Sequence, residues 1–212
     1  MENFNGKTVV LADGDFPSGA LAADALRSAR RVVCCDRAAA GYLARDFGMP
    51  AAVVGDFDSL PAECRAKLAD VMVRDPGQDD NDLAKAFRYC LAQGWRDIVV
   101  LGATGRREDH AIGNVSWLAD FSDEAPSIAM LTDCGVFTVV RAPGGSVATG
   151  KGMPVSFFSF DPRQAISAEG VAYPVRDLKL RRWWSATLNK ALGDSVSLSF
   201  DGDPVLVYRA FI

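Results

Sequence analysis

Short apolar runs alternate with helix-length amphipathic or alanine-rich segments over the first two-thirds of the chain. The runs that predict strands are Lys7–Ala12, Arg31–Cys35, Ala51–Gly55, Val71–Arg74, Asp97–Gly102 and Ser127–Thr132. The segments between them that predict helices are Ser18–Ala29, Arg37–Phe47, Pro61–Asp70, Asp80–Gln93 and Asp109–Phe121. This alternation is typical of β-α-β units, in which helices flank a mostly parallel sheet.

After Asp133 the pattern changes to short strand-like runs that are separated by turn residues and not by helices. These runs are Val136–Ala142, Met153–Phe160, Ala165–Val171, Leu178–Arg181, Ser195–Phe200 and Val205–Phe211. We therefore expect an α/β fold with two domains: residues 1–134 with a mostly parallel sheet flanked by helices, and residues 135–212 as a small antiparallel β-sandwich. Because a domain of that size is close to the lower limit for a stable core, we expect it to pack on the first domain or on another subunit.

Composition and charge narrow the functional classes. A net charge of −4 argues against a protein that binds nucleic acid through a basic surface. No apolar run approaches the roughly 18 residues that span a bilayer, and the first residues lack a signal-peptide pattern, so we expect a cytoplasmic protein that does not contact membranes. The five cysteines form no CxxC pair, which favours buried, reduced thiols. With His110 as the single histidine, a catalytic metal would need mainly oxygen ligands, which favours Mg²⁺ or Mn²⁺.

Acidic residues follow the predicted strands at the ends where parallel sheets bind ligands. Asp36 ends the second strand, and Asp56 and Asp58 follow the third. In an extended backbone, Asp56 and Asp58 would point to the same side, and a divalent cation would relieve their repulsion. A solvated loop in which both acids cap or turn the chain is the alternative.

Two further segments carry candidate chemistry. Asp79, Asp80 and Asp82 lie at the start of a predicted helix, where one explanation is that Asp79 or Asp80 caps the helix with more acid in its first turn, and ligand binding is another. The segment from Gly105 to His110 joins a strand to a helix, and its Arg106 and Arg107 suit phosphate recognition, although it matches neither a Walker A loop nor GxGxxG. A plain loop and a capping or packing histidine are the alternatives there. Taken together, the strand-end clusters indicate metal-assisted phosphoryl or diphosphoryl transfer.

Three of these segments resemble the motifs of thiamine pyrophosphokinases. The segment Gly55-Asp56-Phe57-Asp58-Ser59 resembles the GDFDS signature, and Asp79-Asp80-Asn81-Asp82 is similar to the D-x-T-D segment. The segment Gly105-Arg106-Arg107-Glu108-Asp109-His110 is similar to G-G-R-x-D-H, and Asp36 falls at the aspartate of A-D-G-G-A. Order and spacing agree over nearly the whole chain. Arg37, Ala40, Asn81 and Arg106 depart from the family pattern, and a loop with Arg106 in place of glycine is not expected to have a positive φ there.

The resemblance implies a homodimeric enzyme that transfers the diphosphoryl group of ATP to the thiamine hydroxyl and releases AMP, with Mg²⁺ as cofactor. It implies that the metal and polyphosphate are surrounded by Asp36, Asp56, Asp58 and Asp79. It assigns catalysis to Asp56, Asp58, Asp79 and Asp82, with Asp79 or Asp58 as proton acceptor. It assigns ATP or phosphate binding to Asp36, Gly105, Arg106, Arg107, Asp109 and His110.

Thiamine contacts are expected near the end of the chain. Asn189 matches the asparagine of a Ser-Asn pair in the family, and Leu188 stands in place of the serine. Trp183 or Trp184 is a candidate aromatic surface for thiamine, although core or interface packing also explains a tryptophan pair.

Two other functions fit the same residues. One is a Mg²⁺-dependent phosphohydrolase with Asp56 as nucleophile, although such enzymes carry the acidic pair after the first strand. The other is a non-catalytic protein that binds nucleotide or thiamine.

Overall fold

A computed structural model of the chain describes residues 3–211 and divides into two compact units. Residues 4–133 form the first unit, and residues 134–211 form the main part of the second. No helix within residues 3–211 is long and apolar enough to cross a membrane.

The first unit alternates strands and helices around a parallel sheet. Its strands are β1 (Thr8–Leu11), β2 (Arg31–Cys35), β3 (Ala52–Gly55), β4 (Met72–Arg74), β5 (Ile98–Leu101) and β6 (Ala129–Leu131). Its helices are α1 (Ala20–Arg27), α2 (Ala38–Leu43), α3 (Ala62–Leu68), α4 (Asp82–Ala92) and α5 (Glu108–Phe121). The strand order is β4-β3-β2-β1-β5-β6, and every pair is parallel.

The inner strands of this sheet are continuous apolar runs because both of their faces are covered. Every residue of β1, β3 and β5 is buried, as parallel sheets between helices require. Helix α4 buries Leu83, Phe87 and Cys90, which recur at the spacing of one helical face. The predicted elements of this unit are confirmed, with ends that differ by one to a few residues.

The second unit contains only strands, arranged as two antiparallel sheets around one core. Its strands are β7 (Gly135–Val140), β8 (Gly144–Ala148), β9 (Pro154–Phe158), β10 (Ala165–Glu169), β11 (Val175–Lys179), β12 (Asn189–Lys190), β13 (Ser195–Phe200) and β14 (Val205–Ala210). One sheet has the order β12-β9-β14-β7 and the other the order β11-β10-β13-β8. Phe157, Ile166, Leu198 and Val207 belong to a core cluster that takes residues from both sheets. The expected α/β fold with a C-terminal antiparallel β-sandwich is confirmed.

The alternation of apolar and polar residues determines which side of a sandwich strand faces the core. In β13, Val196, Leu198 and Phe200 are buried, whereas the serines between them are exposed. Two strands were missed: β8 starts at Gly144, in a segment that we predicted to be a turn, and β12 has only two residues. The strand predicted at Leu178–Arg181 lies earlier, at Val175–Lys179.

Candidate active site

A cavity of about 460 Å³ lies in the first unit, beyond the carboxyl ends of its strands. The cavity is lined by residues that follow β1, β2, β3 and β5 and by the first turns of α4 and α5. Its charged lining consists of Asp13, Asp36, Arg37, Asp82, Arg106 and Arg107, with His110 beside them. Its position is the one that parallel α/β sheets use for ligands, and its volume is in the range of small-molecule sites.

Asp36 supplies the carboxylate of the cavity that is most shielded from water. The residue is only 6% exposed, and its Oδ1 atom is buried with no hydrogen-bond partner in the described structure. Its Oδ2 accepts a hydrogen bond of 2.5 Å from the Ser59 hydroxyl. Burial, together with the negative charges of Asp82 and Asp56, raises the pKa of Asp36 above its ordinary value, and the Ser59 bond opposes this only in part. An unpaired buried carboxylate oxygen of this kind is suited to a cation or a donor from a ligand.

The backbone around Asp36 is tightly constrained. Asp36 has a φ of +36°, and its amide donates a 2.8 Å bond to the Val54 carbonyl at the end of β3. A Cβ on Gly55 would lie 2.9 Å from the Cβ of Asp36, closer than real Cβ atoms approach one another. The glycine of the Gly55–Ser59 motif therefore makes room for the Asp36 side chain.

Asp56 and Asp58 do not lie along an extended strand as predicted. Phe57 between them is buried with a φ of +68°, so the chain turns after β3. The Asp58 amide donates 3.1 Å to Asp56 Oδ1, and the Gln78 side chain donates 3.2 Å to Asp56 Oδ2. These bonds, the Asp58 amide first, lower the pKa of Asp56. Asp58 is exposed, and neither Asp56 nor Asp58 is among the residues that line the cavity.

The aspartates at the start of α4 differ in whether they line the cavity. Asp79 is exposed, and Asp80 pairs with Arg88 on α4, whose hydrogen bond lowers the pKa of Asp80. Asp82, the first residue of α4, lines the cavity. Its Oδ1 lies 3.2 Å from Nζ of Lys85, which is only 4% exposed. Sequence reasoning missed Lys85, although its i,i+3 spacing from Asp82 places both on one side of the helix.

The loop between β5 and α5 presents its two arginines differently. Gly105 has a φ of +99°, and a Cβ there would collide with the Asp15 carboxylate, whereas Arg106 lies outside the left-handed region, as predicted. Nε of Arg107 donates 3.1 Å to Asp109 Oδ1, and this pairing lowers the pKa of Asp109. His110 lies in the first turn of α5, and its amide donates 2.8 Å to Asp109 Oδ1.

Two asparagines join the elements on one side of the cavity. Asn81 caps α4 by accepting a 3.1 Å bond from the Ala84 amide, and its Nδ2 donates 2.9 Å to Asn114 Oδ1. Asn114, on α5, in turn donates 2.9 Å to the Ala103 carbonyl after β5. The prediction that Asp79 or Asp80 caps the helix is therefore wrong, because Asn81 is the cap.

Asp13 is another residue of the cavity that sequence reasoning missed. It follows β1, and its carboxylate accepts hydrogen bonds from Arg37 and Arg106 at the rim of the cavity. The rule that ligands bind beyond strand ends would have found it, because Asp13 comes two residues after β1.

The candidate thiamine residues lie in the second unit. Asn189 is buried, and its side chain bonds to backbone: Oδ1 accepts from the Tyr173 and Lys190 amides, and Nδ2 donates to the Tyr173 carbonyl. Trp183 and Trp184 are 49% and 74% exposed, so they are not core residues. Trp184 lines a second cavity of about 560 Å³ together with Lys179, Arg181 and Arg182.

The donor atoms of the first cavity fit a hard divalent cation. Carboxylates are the ligands that Mg²⁺ prefers, and the free, buried Oδ1 of Asp36 is such a ligand. Within residues 3–211, no three acidic, cysteine or histidine side chains are grouped so as to hold a metal by themselves. This arrangement fits an ion that is bound by one or two carboxylates and otherwise by water and substrate phosphates, as Mg²⁺ commonly is. The cavity thus combines carboxylates for a cation with guanidinium groups for phosphates.

Comparison with known proteins agrees with this chemistry. A family model described as the catalytic domain of thiamin pyrophosphokinase matches residues 22–130, and one described as its substrate-binding domain matches residues 135–208. Thiamin pyrophosphokinase 1 of Caenorhabditis elegans is 29% identical over 141 residues. That match covers 62% of this chain and 58% of the relative, so the chain matches less than two-thirds of the relative's length.

Solved structures share the fold. A thiamin pyrophosphokinase family protein from Enterococcus faecalis superposes with a TM-score of 0.81 at 19% identity, covering 97% of this chain and 99% of its own. Thiamin pyrophosphokinase from Geobacillus thermodenitrificans superposes with a TM-score of 0.76 at 24% identity, covering 97% of each chain. Because the two family models together match most of the sequence, this chain belongs to the thiamin pyrophosphokinase family.

Proposed function

We propose that this protein transfers the diphosphoryl group of ATP to the hydroxyl of thiamine, giving thiamine diphosphate and AMP. The observation that carries the proposal is the strand-end cavity, in which the buried, unpaired carboxylate oxygen of Asp36 lies with Asp82 and with Arg106 and Arg107. Membership of the family supports the choice of ATP and thiamine as substrates.

The family's reaction uses a divalent metal, and we propose Mg²⁺ bound by Asp36 with Asp82 beside it. When bound, the ion supplies positive charge that neutralises the polyphosphate and polarises its oxygens. The predicted participation of Asp56, Asp58 and Asp79 remains a prediction. Their carboxylates lie outside the cavity lining, so they would have to act through movement of their loops or through bound water.

Catalysis by the chain itself then consists of positioning and charge stabilisation. Arg106 and Arg107 hold phosphate oxygens, and His110 and the first turn of α5 orient them. The thiamine oxygen forms a bond to the β-phosphorus, while the bond from that phosphorus to the α,β-bridging oxygen breaks and AMP leaves with those electrons. A cavity carboxylate, Asp82 in this geometry, accepts the hydroxyl proton.

For thiamine, we propose the exposed tryptophans of the second unit. Trp183 and Trp184 offer aromatic surface on which the cationic thiazolium ring and the neutral pyrimidine ring can stack. Asn189, predicted as a direct contact, retains one free amide hydrogen after its backbone bonds, and it holds the segment around Tyr173 in place.

We further propose a cytoplasmic homodimer. Large apolar side chains are exposed between residues 183 and 192, at Trp183, Trp184, Leu188 and Leu192. Exposed apolar side chains of this size are typical of an interface. Sedimentation velocity should give twice the chain mass of 22.7 kDa, and Leu188→Glu should shift the protein toward the monomer. A wild-type protein that sediments as a monomer at micromolar concentration contradicts this assembly.

The reaction is tested with purified protein, ATP, Mg²⁺ and thiamine, with chromatographic separation of the products. We expect AMP and thiamine diphosphate in equal amounts, and no AMP when thiamine is omitted. Asp82→Asn should lower turnover by about 100-fold or more if Asp82 accepts the proton. Release of inorganic phosphate without thiamine would instead support the phosphohydrolase, and binding of ATP with no product would support a non-catalytic protein.

A further inference from the structure

Asp13 joins two arginines that come from distant parts of the sequence. Its Oδ2 accepts a hydrogen bond of 2.9 Å from Nε of Arg37, and Nη2 of the same arginine lies 2.8 Å from that oxygen as an ion pair. Its Oδ1 accepts a bond of 2.8 Å from Nη1 of Arg106, and the same nitrogen donates 3.0 Å to the Asp13 carbonyl. Both oxygens of one carboxylate therefore hold the two guanidinium groups, and all three residues line the cavity.

The backbone that carries Asp13 is fixed to the loop that carries Arg106. The Gly14 amide donates 2.6 Å to the Gly102 carbonyl, and the Asp15 amide donates 2.8 Å to the Thr104 carbonyl. A Cβ on Gly14 would lie 2.3 Å from the Thr104 carbonyl oxygen, so only glycine permits this approach. Asp13 is thus a rigid anchor, whereas the arginine side chains are long and have many rotamers.

The ion pairs of Asp13 contribute little to the stability of the fold, so stability does not explain this arrangement. The side chains of Asp13, Arg37 and Arg106 are 32%, 50% and 47% exposed, and ion pairs with that exposure are screened by water. The bridge also brings two cations together, at the rim of a cavity that already holds Arg107. A polyanion in the cavity would gain from this concentration of positive charge.

We propose that Asp13 is a positioning residue that directs Arg37 and Arg106 toward the terminal phosphates of the nucleotide, with Arg37 as a further phosphate-binding residue. Each guanidinium carries five N–H donors, and the hydrogen bonds to Asp13 use one nitrogen of Arg37 and one of Arg106. The remaining donors are available for phosphate oxygens. This inference rests on the proposed use of the cavity for ATP.

The experiment compares equilibrium binding of ATP and AMP by titration calorimetry, with Mg²⁺ present and thiamine absent. We expect Asp13→Asn to weaken ATP binding by about tenfold and AMP binding by less than about twofold, since AMP lacks the β- and γ-phosphates. Asp13→Glu, which keeps the carboxylate, should recover most of the loss. In steady-state assays, Asp13→Asn should raise the KM for ATP and change kcat little.

A double-mutant comparison separates positioning from a direct contact. If Asp13 acts through the arginines, Asp13→Asn should add little to the loss of ATP affinity already caused by Arg37→Gln with Arg106→Gln. If Asp13→Asn does not fold, Asp13→Glu takes its place in the comparison, and unchanged ATP affinity in the arginine double variant overturns the inference. The matched control is Asp24→Asn, which breaks the exposed pair of Asp24 with Arg27 on α1 and should leave ATP binding unchanged.

Unchanged or tighter ATP binding by Asp13→Asn overturns the inference, because the bridge would then have no role or would compete with phosphate. Equal losses of ATP and AMP affinity also overturn it. The proposed reaction fails separately, when the wild-type protein binds ATP and forms no thiamine diphosphate.

Discussion

Asp36 has a buried carboxylate oxygen, and burial raises the pKa of its carboxyl group. The carboxylate that we propose as a cation ligand therefore has an unfavourable effect on the stability of the fold. A native pKa above the unfolded value of 3.8 means that the folded state binds the proton more tightly. Ionised Asp36 therefore destabilises the metal-free fold, and the penalty grows as the pH rises above 3.8.

We predict that Asp36→Asn raises the free energy of unfolding at pH 7 in the presence of EDTA and lowers turnover by about 100-fold or more, since a cation ligand is lost. The stability gain should shrink as the pH falls, and it should be lost below pH 3.8, where the wild-type carboxyl is protonated in both states. Urea unfolding at several pH values measures this difference. An Asp36→Asn protein that is less stable than wild type at pH 7 contradicts the assigned environment.

The effect of Asp80 on stability depends on pH in the opposite direction, because the hydrogen bond from Arg88 lowers the pKa of Asp80. We predict that Arg88→Gln costs up to about 1 kcal/mol of stability at pH 7, the upper range for a partly exposed ion pair. The cost is present above pH 3.8, the ordinary pKa, and is lost as the pH falls through the lowered pKa of Asp80. Arg27→Gln, which removes an exposed pair on α1, is the control and should change stability little. A pH-independent cost of Arg88→Gln would show that packing, and not charge, holds Arg88.

At the scale of elements, the contacts of Asn81 connect the start of α4 to α5 and to the end of β5. We predict that Asn81→Ala destabilises the protein by about 1–2 kcal/mol, since it removes a helix cap and leaves Asn114 without its donor. Asn81→Thr, which keeps a capping oxygen, should lose about half as much. Thermal unfolding measures both changes, and equal costs for the two variants contradict the capping role.

The elements also show which parts of the fold the sequence predicts. Strands such as β1 and β5 are continuous apolar runs between helices, so their positions follow from periodicity. The strand β8 does not, because it begins with two glycines and its pairing with β13 depends on contacts that are distant in the sequence.

The candidate site was predictable in place but not in its detailed composition. The strand-end rule located Asp36 and the Gly105–His110 loop correctly. It did not reveal the turn at Phe57, whose positive φ is unusual for a bulky residue and takes Asp56 and Asp58 out of an extended line. Arg37 was missed because its partner, Asp13, is distant in the sequence, whereas the i,i+3 spacing of Asp82 and Lys85 could have been read from the sequence.

At the scale of the whole molecule, charge is distributed unevenly. The chain carries a net charge of −4, yet Arg37, Arg106 and Arg107 meet at one cavity. The three arginines are balanced in the cavity by Asp13, Asp36 and Asp82, so they offer phosphate-binding groups to a small polyanion and give no continuous basic surface for a long one. This distribution agrees with a nucleotide substrate.

Burial across the molecule also determines how its cysteines react. Cys34, Cys35 and Cys90 are buried, and burial raises the pKa of Cys90 to about 12, so their thiolates are scarce at neutral pH. We predict that a thiol reagent at pH 8 modifies exposed Cys134 rapidly, half-buried Cys64 more slowly, and all 5 cysteines only after denaturation. Absorbance from a chromogenic disulfide reagent counts them. Rapid modification of all 5 in the native protein contradicts this packing.

The near contact between Gly55 and Asp36 limits how this protein can be altered by protein engineering. A library that varies position 55 should yield few active proteins, since even a methyl group there would displace Asp36. Attempts to broaden substrate range are therefore better aimed at exposed side chains, such as Trp184, which is 74% exposed.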